Sequence, residues 1–246
     1  MRYKISIEYN GTKFHGWQKQ DNLPTVQQTI EAVIAKINKS PVELFCAGRT
    51  DSGVHAYGQV AHFDMEKNLS SWQLQQALNF HLHGSGISVF NTENLGENSD
   101  FHARFSAKQR EYIYKILNRG YPPAVEEFLY WWIPQELNLG AMEKAAEFLL
   151  GTHDFSSFRA AGCQANSPLK TIDEINFYKE NNVISMHIKA PSFLYHQVRN
   201  IMGTLALAGR EKITPNDVKK ILEACDRTKA GPKAPAYGLY FYKVSY

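Results

Sequence analysis

The chain has 246 residues, 43% of them hydrophobic, which is enough for one large core or two smaller ones. Its 27 Lys and Arg against 24 Asp and Glu leave a net charge of +3, which permits a nucleic-acid partner without demanding one. There is no 18-residue apolar run for a membrane span, and the charged, alternating start "MRYKISIEYNGTKF" is not a secretory signal. Three scattered cysteines, Cys46, Cys163 and Cys225, fit a reducing cytoplasm better than a disulfide framework and lack zinc-site spacing.

The first element is a strand: Tyr3, Ile5, Ile7 and Tyr9 share one face, and Lys4, Ser6 and Glu8 the other. "NGTKFHGWQKQ" reads as turn and loop. From about Thr25, with Pro24 near the start, Val26, Ile30, Val33, Ile34 and Ile37 fall at helical spacing. Val42 to Cys46 and Val60 to Phe63 are predicted strands, and "SSWQLQQALNFHL" a helix with Leu74, Ala77, Leu78 and Leu82 inward. The loop "ENLGENSDFHARFSA" is expected to carry a domain boundary.

The second half repeats that order. Tyr112, Tyr114 and Ile116 alternate with Ile113 and Lys115 in a strand, and "NLGAMEKAAEFLLG" is a helix expected to stop at Gly151. Ile172 to Tyr178 and Val183 to Lys189 form a hairpin across "KENN". Tyr195 to Ala208 is a helix with Val198, Ile201, Met202 and Leu205 inward. "TPNDVKKILEACD" is another, with Thr214 as cap and Pro215 first. Tyr240, Tyr242, Val244 and Tyr246 alternate in a last strand. Strand, helix, strands, helix thus occurs twice. The expectation is an α+β protein of two related halves, residues 1–105 and 106–246, with no low-complexity tract or long linker.

Within "CAGRTDSGVHAYGQVAHFD", Gly48 and Gly53 bracket Arg49 and Asp51. Aspartate is common in turns because its side chain bonds the backbone two residues on. The arginine two residues earlier raises a second reading, in which the turn displays the carboxylate. "FHARFSAKQREYIYK" interleaves Arg104, Lys108, Arg110 and Lys115 with Phe101, Phe105, Tyr112 and Tyr114. Cations for phosphates and rings for unstacked bases suit looped or single-stranded RNA, although a strand with core aromatics would look the same. His153-Asp154 resembles a phosphohydrolase metal pair but lacks further ligands, and His81 and His83 in "FHLHGSG" have no acidic or cysteine partner nearby, so no metal site is expected.

These segments, with "YNGTKFHGWQKQ", "REYIYK", "GTHDFSSFRAAGCQANSP", "SFLYHQVRNIMGTL" and "AGPKAPAYGLYFYKV", resemble the TruA-type tRNA pseudouridine synthases in one unbroken order from Tyr3 to the C-terminus. "GRTDSGVHAYGQVAHF" and "FLYHQVRNIMG" are the most specific. Ser52 stands where the family more often has Ala. The resemblance implies two α/β halves with mostly antiparallel sheets meeting at a central RNA-binding cleft. It implies isomerisation of uridine to pseudouridine at positions 38 to 40 of the anticodon stem-loop, by a homodimer, without cofactor or metal. The family's essential aspartate falls on Asp51, which could attack C1′, abstract a sugar proton or stabilise positive charge. Its cation falls on Arg199: a carboxylate in a base pocket needs one to stay ionised, and a guanidinium forks across both oxygens. Tyr112 matches the tyrosine that receives the extruded base and could exchange a proton. Arg49 matches an arginine that helps displace that base; Arg104, Lys108 and Arg110 are further RNA-binding candidates. His55 and His196 lie in these motifs, lining the cleft or making structural hydrogen bonds. Two rivals remain: an RNA-binding module without catalysis, and a metal-dependent phosphohydrolase built on His153-Asp154.

Overall fold

The computed structural model describes residues 1–246, with helices and mostly antiparallel strands in two compact units. One comprises Met1–Lys108 with Tyr240–Tyr246, the other Gln109–Leu239.

The first unit opens with β1 (Arg2–Tyr9), whose alternate residues Tyr3, Ile5, Ile7 and Tyr9 are buried. α1 (Val26–Asn38) starts where Thr25 accepts a bond from Gln28 N, and it buries the apolar stripe read from the sequence. β2 is only Phe45–Cys46, and β3 (His55–Asp64) is longer than expected because Gly58 and Tyr57 continue the strand. α2 (Ser71–Leu82) has a capping box of Ser70 and Gln73 and buries Leu74, Leu78 and Leu82. β4 (Ile87–Gly96) was not foreseen. It runs into the stretch "ENLG" expected to be loop, and its polar residues beyond Val89 hide the apolar pattern. β1 pairs antiparallel with both β3, Ile5 opposite Ala61, and β4, Ile5 opposite Thr92; β2 pairs antiparallel with β3.

In the second unit β5 (Gln109–Asn118) carries "REYIYK", and β6 (Trp131–Ile133) is a short parallel partner too brief to show periodicity. α3 (Leu139–Glu147) is capped by Asn138 and ends four residues before Gly151, which instead opens β7 (Gly151–Asp154) at φ 90°. β8 (Leu169–Ile172) pairs with β7, so Ile172 belongs to a separate strand and the hairpin is β9 (Glu174–Glu180) with β10 (Val183–Ala190). β10 also pairs antiparallel with β5. α4 (Gln197–Gly209) is buried nearly all round, and α5 (Pro215–Glu223) starts in a Thr214–Asp217 capping box. The chain then returns to the first unit as β11 (Leu239–Ser245), parallel to β3 with Tyr240 opposite His55. Its alternation is imperfect: Phe241 is buried, whereas Tyr242 is exposed.

Candidate active site

The Asp51 turn is built from main-chain bonds. Val54 N donates to Asp51 O at 3.1 Å, closing it, and Gly53 takes φ 78°, a value glycine adopts without a steric penalty. The turn is fastened to the loop after β1: Trp17 N donates to Thr50 O at 3.0 Å, Gly53 N to Phe14 O at 3.3 Å, and Ser52 Oγ to Phe14 O at 3.4 Å. Ser52 thus adds a bond that alanine cannot make. A Cβ at Gly16 would lie 2.7 Å from Thr50 O, and one at Gly11 2.0 Å from Val54 O, so both glycines permit close backbone contact. Tyr9 Oη and Thr50 Oγ1 share a 2.7 Å bond, and burial pushes the Tyr9 phenol up. "YNGTKFHGWQ" and "GRTDSGVH" therefore form one structure, which their separation in the sequence concealed.

His55 is buried, its Nδ1 accepts from Gly11 N at 3.0 Å, and its ring stacks on Tyr240 with centroids 4.7 Å apart. That is a structural role. Arg49 is exposed on the same turn as Asp51. Arg49 and Arg104 both act on the Cys46 thiol, which burial nevertheless pushes up to about 12, so it is a thiol and not a nucleophile at neutral pH. Arg104 is exposed with its guanidinium 5.7 Å from the Phe105 ring, and the exposed Lys108 donates its backbone N–H to Ser245 O.

In the second unit, three motifs converge on α4. Arg199, 8% exposed, donates from Nε to Ala234 O at 2.9 Å, while Ala234 N donates to Arg199 O at 3.1 Å. This pair of bonds orients the guanidinium and ties "AGPKAPAYG" to the helix. Gly231 N donates to Thr204 Oγ1, and Asn200 Nδ2 to Phe158 O in "GTHDFSSFR". Gly203 permits the approach: a Cβ there would stand 1.7 Å from Pro232 O. Tyr112, half-buried on β5, meets Phe193 edge-on at 5.2 Å. Arg110, two residues earlier, donates to Pro191 O at 2.8 Å, so one face of β5 holds the segment that leads into α4. Tyr114 is wholly buried and donates to Pro235 O at 2.7 Å; desolvation raises its phenol well above the ordinary range, opposed by Arg199. Phe193 and Gly203 were missed. A glycine inside an apolar helix was the available signal for the second.

His196 sits at φ 61°, stacked on Tyr195 at 3.7 Å, with Nδ1 3.4 Å from Lys233 Nζ. His153 Nε2 lies 2.6 Å from Leu150 O, and Asp154 accepts from Ser156 N at 2.8 Å; the Ser156 side chain first, and this backbone bond after it, hold the Asp154 carboxyl below the usual range. Both residues serve local turns. No group of three or more His, Cys, Asp or Glu is gathered so as to hold a metal ion.

The profile of the tRNA pseudouridine synthase family matches residues 5–106 and again 145–246. The chain belongs to the tRNA pseudouridine synthase family. The two matched segments agree with the α+β repeat read from the sequence, and each carries one part of the family motifs. The chain is 48% identical over 247 residues to tRNA pseudouridine synthase A of Ehrlichia chaffeensis, covering 100% of both chains. It is 46% identical over 246 residues to tRNA pseudouridine synthase A of Rhodospirillum rubrum, covering 100% of this chain and 88% of the relative. Among solved structures, a chain in the crystal structure of a Cbf5-Nop10-Gar1 complex aligns at 12% identity and a TM-score of 0.36, over 83% of this chain and 44% of that one.

Proposed function

We propose that this chain is a tRNA pseudouridine synthase, an isomerase that converts uridine to pseudouridine at positions 38 to 40 of the anticodon stem-loop. It acts as a cytoplasmic homodimer and without cofactor or metal. In the reaction the C1′–N1 bond breaks, the base turns, and a C1′–C5 bond forms; N1 gains a proton and the C5 hydrogen leaves to water. Asp51 supplies the negative charge that each carboxylate role at C1′ requires. Arg199 is the guanidinium that keeps the reacting carboxylate ionised, and Tyr112 is the ring that receives the extruded uracil. Arg49, Arg104, Lys108 and Arg110 contact RNA. The observation that supports this most is the Asp51 turn, which backbone bonds to Phe14, Trp17 and Val54 hold in one fixed conformation.

The test is release of tritium from tRNA labelled at uridine C5, with no metal or cofactor added. The parent protein is expected to release it. Asp51→Asn is expected to fold, bind tRNA about as well as the parent, and release none; Arg199→Ala should lose turnover far more than affinity. Absence of release by the parent from every tRNA tried, or near-parent release by Asp51→Asn, would overturn the reading.

A further inference from the structure

Phe105 is 76% exposed, an odd position for a large ring that folding alone would bury. It is not a loose loop residue. His102 N donates to Ser106 Oγ at 3.0 Å and Ser106 N returns a bond to His102 O at 2.9 Å. Arg104 N and Phe105 N both point at His102 Nδ1, at 3.1 and 3.4 Å. Ala103 is clamped from both sides, its N donating to His62 Nδ1 and its O accepting from Tyr246 Oη. The turn thus holds Phe105 outward in a fixed direction.

The rings behind it form a ladder. His102 lies 4.3 Å from Phe105, 4.6 Å from His62 and 5.6 Å from Phe45, which is 39% exposed and stacks on His62 at 5.2 Å. Desolvation, with Arg2 next, lowers His102, so its imidazole is neutral near pH 7 and presents a flat uncharged face. Cations flank the ladder. Arg104 lies over Phe105, and Arg49 and Arg104 share the electrostatic neighbourhood of Cys46. Two acids nearby are engaged by another cation: Asp64 is bound through both oxygens by Arg2, and Asp100 acts on the same Arg2.

We propose that the Phe45–His102–Phe105 edge is a stacking platform for an unpaired nucleotide of the RNA, other than the uridine that reacts, with Arg104 taking its phosphate. Rigid exposed rings fit unstacked bases, because the edges of paired bases do not offer a ring face. The guanidinium fits the anionic backbone. The proposal rests on the RNA-modifying reading above, and deepens it by naming a recognition surface away from the reacting atoms.

The full-length protein is titrated with fluorescently labelled, unmodified tRNA across a range of salt. Phe105→Ala is expected to weaken binding by roughly 5- to 150-fold at every salt concentration, with the salt slope unchanged, since it removes stacking and no charge. Phe105→Tyr keeps the ring and should bind within about twofold of the parent. Arg104→Ala should reduce the magnitude of the slope by roughly 0.7–0.9. Parent-like affinity in Phe105→Ala, or equal losses in the Ala and Tyr variants, overturns the platform. So does a change in sedimentation of the RNA-free protein without a change in RNA affinity, which would make the edge a protein-docking surface. Tritium release by the parent is measured on the same tRNA: its absence with the Phe105 pattern intact sinks the synthase reading and leaves the platform standing.

Discussion

At the scale of single residues, burial decides which polar groups are chemistry and which are scaffold. His62 is buried between Phe45 and His102, and its Nδ1 accepts from Ala103 N at 3.1 Å. Desolvation, helped by His102 and Arg2, lowers it from 6.5 to about 4. The unfolded chain binds that proton more readily than the folded one between these values. Stability from the neutral ring is therefore full above pH 6.5 and is lost as pH falls toward 4. Carboxylates titrate in the same range, so the measurement is a comparison: the thermal midpoint of His62→Asn should fall less steeply than the parent's across this window. Equal slopes would mean that His62 does not carry the dependence. Neither histidine of this pair stood out in the sequence, because an imidazole on a strand, as at His62, or beside a turn, as at His102, reads as any polar residue until its neighbours are known. Asp51 did stand out, since a glycine and a charged pair mark a special turn locally. Its supports, Phe14 and Trp17, were invisible, being joined to it only through tertiary backbone bonds.

At the scale of elements, patterns that close within one segment were legible. Thr25 before α1 and Thr214 with Asp217 at α5 are caps whose partners lie three residues on. Patterns that depend on a distant partner were not. β4 is polar over most of its length, and β6 borrows its order from β5. α4 shows the difference within one helix: its apolar stripe predicted the helix, but the irregular segment 230–234 crossing it did not follow from the stripe. Gly203 makes that crossing possible, and two effects compete on Gly203→Ala. Helix propensity favours alanine by about 1 kcal/mol. Against it, the new methyl meets Pro232 O at 1.7 Å, Pro232 C at 3.0 Å and Ala234 N at 3.2 Å, all backbone atoms that cannot rotate away. The clash should win, giving a net loss of roughly 1–3 kcal/mol in denaturant unfolding. Activity should fall further than stability accounts for, because Ala234 O holds Arg199 Nε. A variant as stable as the parent would show that segment 230–234 shifts without cost.

At the scale of the whole molecule, a net charge of +3 leaves RNA attraction to local arrangement, and the chain's ends matter more than their position suggests. The alternation of Tyr240, Tyr242 and Val244 marked a strand, yet alternation does not name a partner. One partner is β3, some 180 residues earlier, with Tyr240 opposite His55 and Phe241 opposite Ala56. The Tyr240 ring stacks on His55 at 4.7 Å and on Tyr57 at 4.9 Å, and a Cβ at Gly58 would lie 2.4 Å from Tyr242 O. Lys108 N donates to Ser245 O, and Tyr246 Oη to Ala103 O. His55 in turn receives Gly11 N beside the Asp51 turn, so the C-terminal seven residues brace the loop that carries the carboxylate. Burying a ring such as Phe241 or Tyr240 contributes roughly 1.5–3 kcal/mol, a large fraction of a total domain stability of about 5–15 kcal/mol. Deleting Tyr240–Tyr246 should therefore destabilise the first unit far more than trimming an ordinary terminus. Amide hydrogen exchange should quicken first at His55 and Ala56 and at residues 103–108, with α5 as the internal reference, and tritium release should be lost. Parent-like protection across His55–Asp64 in the truncated protein would show that the strand only covers β3, and that the Asp51 turn stands without it.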